Sequence, residues 1–128
     1  DLREKAAVDP EFYRQWLELM RHQFLFMEPE LGEHLVECHR RVGPLSQYRD
    51  FVAIDHFDVR DRIHTLKPPL LLIHGIDDRA KTPEYELEIH QAVPGSRYVK
   101  LKGCGHFPFA ERPAEVNRAI DEFLSLQV

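Results

Sequence analysis

The sequence has few of the features that mark membrane proteins, secreted proteins or nucleic-acid-binding proteins. No uninterrupted apolar run is longer than the four residues at 70–73, whereas a helix that spans a bilayer needs about 20. The first residues lack the basic and then apolar pattern of a secretory signal. Lys and Arg form no stripe, and the net charge is -5, so contacts with a phosphate backbone are not expected. We therefore expect a protein that binds neither membranes nor nucleic acids.

Cysteine is also scarce, with Cys38 and Cys104 as the two examples. They lie in segments with different sequence patterns, so a disulfide framework is not indicated and a reducing, cytoplasmic compartment is expected. His34, Cys38 and His39 are a poor set of zinc ligands, because adjacent residues of a helix face different sides. We expect no metal and no other cofactor.

The first half of the chain has the pattern of a helical segment. With 43% apolar and 30% charged residues, the 128 residues suit a folded globular protein. Over residues 1–66, apolar positions recur at three- and four-residue spacing, and Asp9 before Pro10 is a strong helix start. A shorter helix around 48–52 is predicted after Gly43 and Pro44. The predicted buried stripe of the first clear helix consists of Phe12, Trp16, Leu19, Met20 and either Gln23 or Phe24.

The second half, residues 67–128, has a βαβα pattern that predicts a parallel sheet. The predicted strands are 70–74 and 97–101, and the predicted helices are 83–92 and 113–126. The last helix is expected to bury a stripe formed by Val116, Ile120, Phe123 and Leu124. Two strands leave exposed edges. We therefore expect a cover, which would be an N-terminal half of the fold from the same precursor, from another chain or from a second copy.

A carboxylate and a histidine follow the two predicted strands. Asp78 comes just after the first strand and His106 just after the second, at the edge where parallel sheets build ligand sites. A carboxylate beside a histidine fixes its tautomer and stabilises the imidazolium. Asp77 is the rival to Asp78 because it is adjacent. His74 is expected to be a packed residue at the strand end.

Three motifs in order resemble those of the C-terminal region of α/β-hydrolases. They are HGIDD at 74–78, GHFP at 105–108 and ERP at 111–113. The resemblance implies an α/β fold in which the C-terminal part of an α/β-hydrolase parallel sheet is preceded by a helical cap or lid segment. It also implies that Asp78 is the acid and His106 the base of a catalytic triad. Residues 1–66 resemble the family's cap only in general character.

The G-x-S-x-G elbow that carries the nucleophilic serine of this family is absent from the sequence. Ser46, Ser96 and Ser125 lack such flanks, and the family's order of nucleophile, acid and base implies a serine before Asp1. We therefore expect a hydrolase of the serine type acting on an ester, amide or C–C bond of a small apolar substrate, present as a fragment that is incompetent by itself. The alternatives are a non-catalytic interaction module derived from a hydrolase half, or one subunit of a split hydrolase.

Overall fold

A computed structural model describes residues 2–24 and 26–126 of the chain. They form two units, divided between Asp58 and Val59. The division falls before the 66/67 boundary expected from the sequence, because a short turn segment at 59–66 groups with the second unit. Within the described residues, no helix combines the length and the apolar character needed to cross a bilayer.

The first unit is helical, and proline opens most of its helices. Its helices are α1 (Leu2–Ala6), α2 (Pro10–Arg21), α3 (Pro29–Val42) and α4 (Pro44–His56). Proline suits the first helical position because its fixed φ and missing N–H cost nothing there. The Asp9 side chain caps α2 by accepting the Glu11 N–H at 2.8 Å. Helix α4 is longer than the 48–52 predicted, because Pro44 starts this helix and does not break it.

The buried face of α2 differs from the predicted stripe. Leu17 and Met20 are buried, whereas Leu19, which was predicted to be buried, is 50% exposed. Phe12 and Trp16 are half-buried. Helix α2 packs against both α1 and α3. The positions that α2 buries are therefore determined by two neighbouring helices and not by one apolar stripe.

A buried glutamine joins three helices of this unit. Gln47 of α4 accepts a hydrogen bond from Trp16 Nε1 at 3.0 Å and donates to the His39 carbonyl at 2.6 Å and the Tyr13 hydroxyl at 3.0 Å. The Phe51 and Trp16 rings also pack in a T-shaped arrangement, with centroids 5.5 Å apart. Every polar atom of the glutamine amide therefore has a partner, as burial requires.

The second unit is built on two parallel strands. Within the described part of this unit, the sheet pairs β1 (Leu71–Gly75) with β2 (Arg97–Leu101), in a register that places Leu71 opposite Arg97 and Gly75 opposite Leu101. The helices are α5 (Pro83–Ala92), α6 (Pro108–Glu111) and α7 (Pro113–Ser125). The predicted βαβα order is confirmed, and the bounds of α5 and β2 agree with the prediction.

The core of the second unit lies on one face of the sheet. Leu101, Cys104 and Val116 are buried there, with Ile73 and Val99 packed against them. Helix α7 also buries Ala119, but Ile120 and Leu124 of the predicted stripe are 39% and 56% exposed. Because neighbouring strands lie about 4.8 Å apart, a sheet of two strands is too narrow to cover the whole apolar face of α7.

Candidate active site

The two side chains singled out in the sequence, Asp78 and His106, are in direct contact. His106 Nδ1 lies 2.7 Å from Asp78 Oδ2. The Asp78 side chain is 6% exposed and the His106 side chain 25% exposed, so the carboxylate is shielded while the imidazole reaches the surface. The expected meeting of the two side chains at the carboxyl ends of β1 and β2 is thus present.

The charge state of Asp78 decides which nitrogen of His106 carries a proton. Burial raises the pKa of Asp78, but hydrogen bonds from His106 and from the N–H groups of Ala80 and Lys81 outweigh it, and the pKa is lowered from its ordinary value. An ionised carboxylate only accepts hydrogen bonds. Nδ1 must therefore be the donor, which leaves Nε2 as the acceptor on a neutral imidazole.

A tight turn holds the Asp78 carboxylate in place. Asp78 Oδ1 accepts the N–H of Ala80 at 2.7 Å and the N–H of Lys81 at 3.1 Å. The Asp78 N–H in turn donates to the Gly75 carbonyl at 3.1 Å. With one carboxylate oxygen fixed by the turn, the other is directed to the imidazole.

Asp77 has a different partner from its neighbour Asp78. Its Oδ2 accepts the N–H of Gly103 at 2.8 Å, and its own N–H donates to the Cys104 carbonyl at 3.0 Å. Asp77 therefore ties the turn after β1 to the loop that carries His106. The geometry distinguishes the two aspartates, which sequence reasoning left as rivals.

Gly75 allows these two loops to approach each other. A Cβ atom at this position would overlap the carbonyl oxygens of Gly105 and Cys104, and backbone atoms cannot give way as a flexible side chain can. The close approach also permits the Ile76 N–H to donate to the Leu101 carbonyl at 3.0 Å. Glycine at 75 is thus a requirement of the site.

The other residues considered from the sequence have different partners. His74 is buried, and its Nδ1 lies 3.2 Å from Glu86 Oε2, which agrees with a packed strand residue. In the helical unit, Cys38 Sγ lies 3.7 Å from His34 Nε2 on α3. Among the described residues, no group of three or more potential ligands is arranged to hold a metal ion.

Sequence reasoning gave no role to Glu111, although it recognised the ERP motif. The Glu111 carboxylate accepts the N–H of Gly105 and the N–H of Phe107, at 2.5 and 3.0 Å. These two amides flank His106 in the chain. The ERP motif was the only sequence feature that could have drawn attention to Glu111, because contacts of a side chain with loop amides cannot be inferred from apolar periodicity.

Cys104, two residues before His106, is a structural thiol. Burial raises the pKa of Cys104 to about 12, and the charge of the Glu111 carboxylate and a hydrogen bond to it add to the increase. Since the thiolate is the reactive form, we expect Ellman's reagent to modify the partly exposed Cys38 in the native protein, and Cys104 only after unfolding. In a Cys38→Ser variant, rapid labelling under native conditions would contradict this burial.

The chain is similar to several known proteins over part of their length. It is 28% identical to the proline iminopeptidase of Lactobacillus delbrueckii subsp. lactis over 85 residues, which are 66% of this chain and 28% of the peptidase. The structure superposes on a bromoperoxidase from Bacillus anthracis with a TM-score of 0.83 and 22% identity, over 97% of this chain and 47% of the other. It superposes on the enol-lactonase of Burkholderia xenovorans LB400 with a TM-score of 0.77 and 25% identity, over 97% and 48%.

The chain therefore spans less than half the length of these relatives. A family model described as the alpha/beta hydrolase family matches residues 2–119, a stretch that includes the helical unit and both strands with their following loops. That match covers most of the chain, and it agrees with the motifs around Asp78 and His106 and with the superpositions. The chain belongs to the alpha/beta hydrolase family.

Proposed function

We propose that Asp78 and His106 are the acid and the base of a serine-type hydrolase. The observation that carries the proposal is the 2.7 Å contact between His106 Nδ1 and Asp78 Oδ2. With an ionised Asp78, Nε2 of His106 is left as the proton acceptor, which is the state a general base requires. The nucleophile is a serine outside these 128 residues, since no G-x-S-x-G elbow occurs within them.

In the proposed reaction the serine hydroxyl attacks the carbonyl carbon of the substrate. His106 Nε2 takes the hydroxyl proton and passes it to the leaving group, which departs and leaves an acyl-enzyme. His106 then removes a proton from water, the water oxygen attacks the acyl carbon, and His106 returns the proton to the serine oxygen as the acyl bond breaks, which releases the acid product and the free serine. Asp78 stabilises the imidazolium in both steps and does not itself change protonation state.

The proposed substrates are small and largely apolar, with an ester, amide or C–C bond as the scissile bond. The names of two relatives, a proline iminopeptidase and an enol-lactonase, favour the amide and ester classes. We assign the helical unit to the cap or lid segment of the family, in keeping with its place in the chain before the acid-bearing strand. The chemistry needs no cofactor, and the two free thiols suit a cytoplasmic setting.

A fluorophosphonate probe tests this function in the natural gene product that contains the sequence. The probe phosphonylates only an activated serine, so we expect stoichiometric labelling together with loss of ester and prolyl-amide hydrolysis. The isolated 128 residues should stay unlabelled, because they lack the nucleophile. A gene product with neither labelling nor hydrolysis would instead be the non-catalytic module.

A further inference from the structure

The strongest unassigned feature of the site is the Glu111 carboxylate. One of its oxygens accepts the Gly105 N–H at 2.5 Å and the other accepts the Phe107 N–H at 3.0 Å. The two amides belong to the residues immediately before and after His106. One carboxylate thus accepts hydrogen bonds from the backbone on both sides of His106.

The contacts of Glu111 include more than a helix cap. The Phe107 N–H lies at the start of α6 (Pro108–Glu111), and a Glu that turns back to such an amide is a common cap. The Gly105 N–H, however, belongs to the third residue before α6, and capping does not require it.

The backbone of His106 determines where its imidazole lies. The ring is restrained by Asp78 at Nδ1 and by the Phe107 ring, whose centroid is 4.8 Å away in an edge-on arrangement. Both restraints depend on the backbone around His106, which Glu111 contacts at the His106–Phe107 peptide and, one peptide further back, at the Cys104–Gly105 peptide. Hydrogen bonds to an ionised carboxylate are shorter and stronger than those between neutral groups, so Glu111 is well suited to fix this backbone.

We propose that Glu111 is a positioning residue, which clamps the two amides around His106 so that the imidazole stays bonded to Asp78 and presents Nε2 to the reacting groups. The catalytic part of this proposal rests on the proposed function above. The positioning part concerns only the geometry of His106 and can be measured without turnover.

The test compares Glu111→Ala and Glu111→Gln with Glu122→Gln in the natural gene product. Glu122 is a matched control, because it also has a polar partner, Arg97 Nη2 at 2.8 Å, but is not part of the proposed site. The first readout is the low-field NMR signal of the His106 Nδ1–H in protein labelled with ¹⁵N-histidine. We expect the signal to be lost in Glu111→Ala, weakened in Glu111→Gln, which keeps one acceptor oxygen, and unchanged in the control.

The second readout is steady-state hydrolysis. Small displacements of a reacting group can cost about 100-fold in rate, so we expect kcat to fall by roughly that factor in Glu111→Ala while KM changes little. Glu111→Gln should recover part of the loss. A signal and a kcat that match wild type in both Glu111 variants would overturn the proposal and leave the proposed function standing.

Two further results distinguish the positioning role of Glu111 from the proposed function. If the gene product has no hydrolase activity but Glu111→Ala still removes the Nδ1–H signal, the positioning role is supported and the proposed function fails. If Glu111→Ala does not fold, the Gln variant decides, since its folding can be checked by circular dichroism against the Glu122→Gln control. A folded Gln variant with a wild-type signal and rate would overturn the positioning role.

Discussion

Replacing His106 with alanine in the natural gene product is expected to lower kcat for ester hydrolysis by about 10⁴-fold or more. Without the imidazole no group at this position can take the serine proton, and the rate that remains would come from substrate binding and oxyanion stabilisation alone. KM should change little because the imidazole transfers protons and contributes little to ground-state binding. Initial rates with a p-nitrophenyl ester series measure the effect.

The matched control for this variant is His64→Ala. His64 is an exposed histidine of the same unit, so its removal tests for non-specific effects of losing an imidazole. The control should retain the wild-type rate, and both variants should keep the wild-type circular dichroism spectrum. Near-full activity in His106→Ala would end the assignment of His106 as the base.

The two aspartates after β1 are expected to differ sharply in their effects. Asp78→Asn should lower kcat by about 10⁴-fold, since an amide at this position can donate to Nδ1 and so favours the wrong tautomer. Asp77→Asn should retain most of the activity, because the amide oxygen can still accept the Gly103 N–H that Asp77 Oδ2 accepts at 2.8 Å. Rates of both variants at neutral pH, measured side by side, give the comparison.

This pair serves as its own control, because the same chemical change is made at adjacent positions. Equal losses at the two positions would show that the turn as a whole matters and not the contact with His106. A larger loss of activity in Asp77→Asn than in Asp78→Asn would assign the role of the acid to Asp77. Thermal unfolding of each variant separates a loss of rate from a loss of fold.

Much of the second unit could be predicted from local sequence signals. Pro83 and the Pro94–Gly95 turn delimit α5, and the apolar run before His74 predicts β1. The convergence of Asp78 and His106 followed from one topological fact, which is that parallel strands end at the same edge of a sheet. The motifs then indicated the family, which the match over residues 2–119 bears out.

The burial of individual helix positions could not be predicted in the same way. Leu17 is buried and Leu19 exposed on α2, and Leu124 of α7 is exposed although its spacing fits an apolar stripe. Periodicity shows that a helix has an apolar face, but the neighbours decide which part of that face is covered.

The supporting contacts of the site were also beyond sequence reasoning. Two of these contacts join a side chain to a loop amide, Asp77 to Gly103 and Glu111 to Gly105. Such contacts produce no periodic pattern in the sequence. The fit of Gly75 against the loop of His106 likewise depends on the distance between two backbones. The motifs thus identify the proposed acid and base, whereas the residues that hold these two side chains in place could be found only from the structure.

The most direct test of the central claim is a crystal structure of the natural gene product with a phosphonate bound to its nucleophile. The account predicts that the modified residue is a serine in a G-x-S-x-G turn outside these 128 residues, with its Oγ about 3 Å from His106 Nε2 and with Nδ1 still bonded to Asp78. A phosphonate on any other residue, or a His106 ring turned away from the adduct, would contradict it.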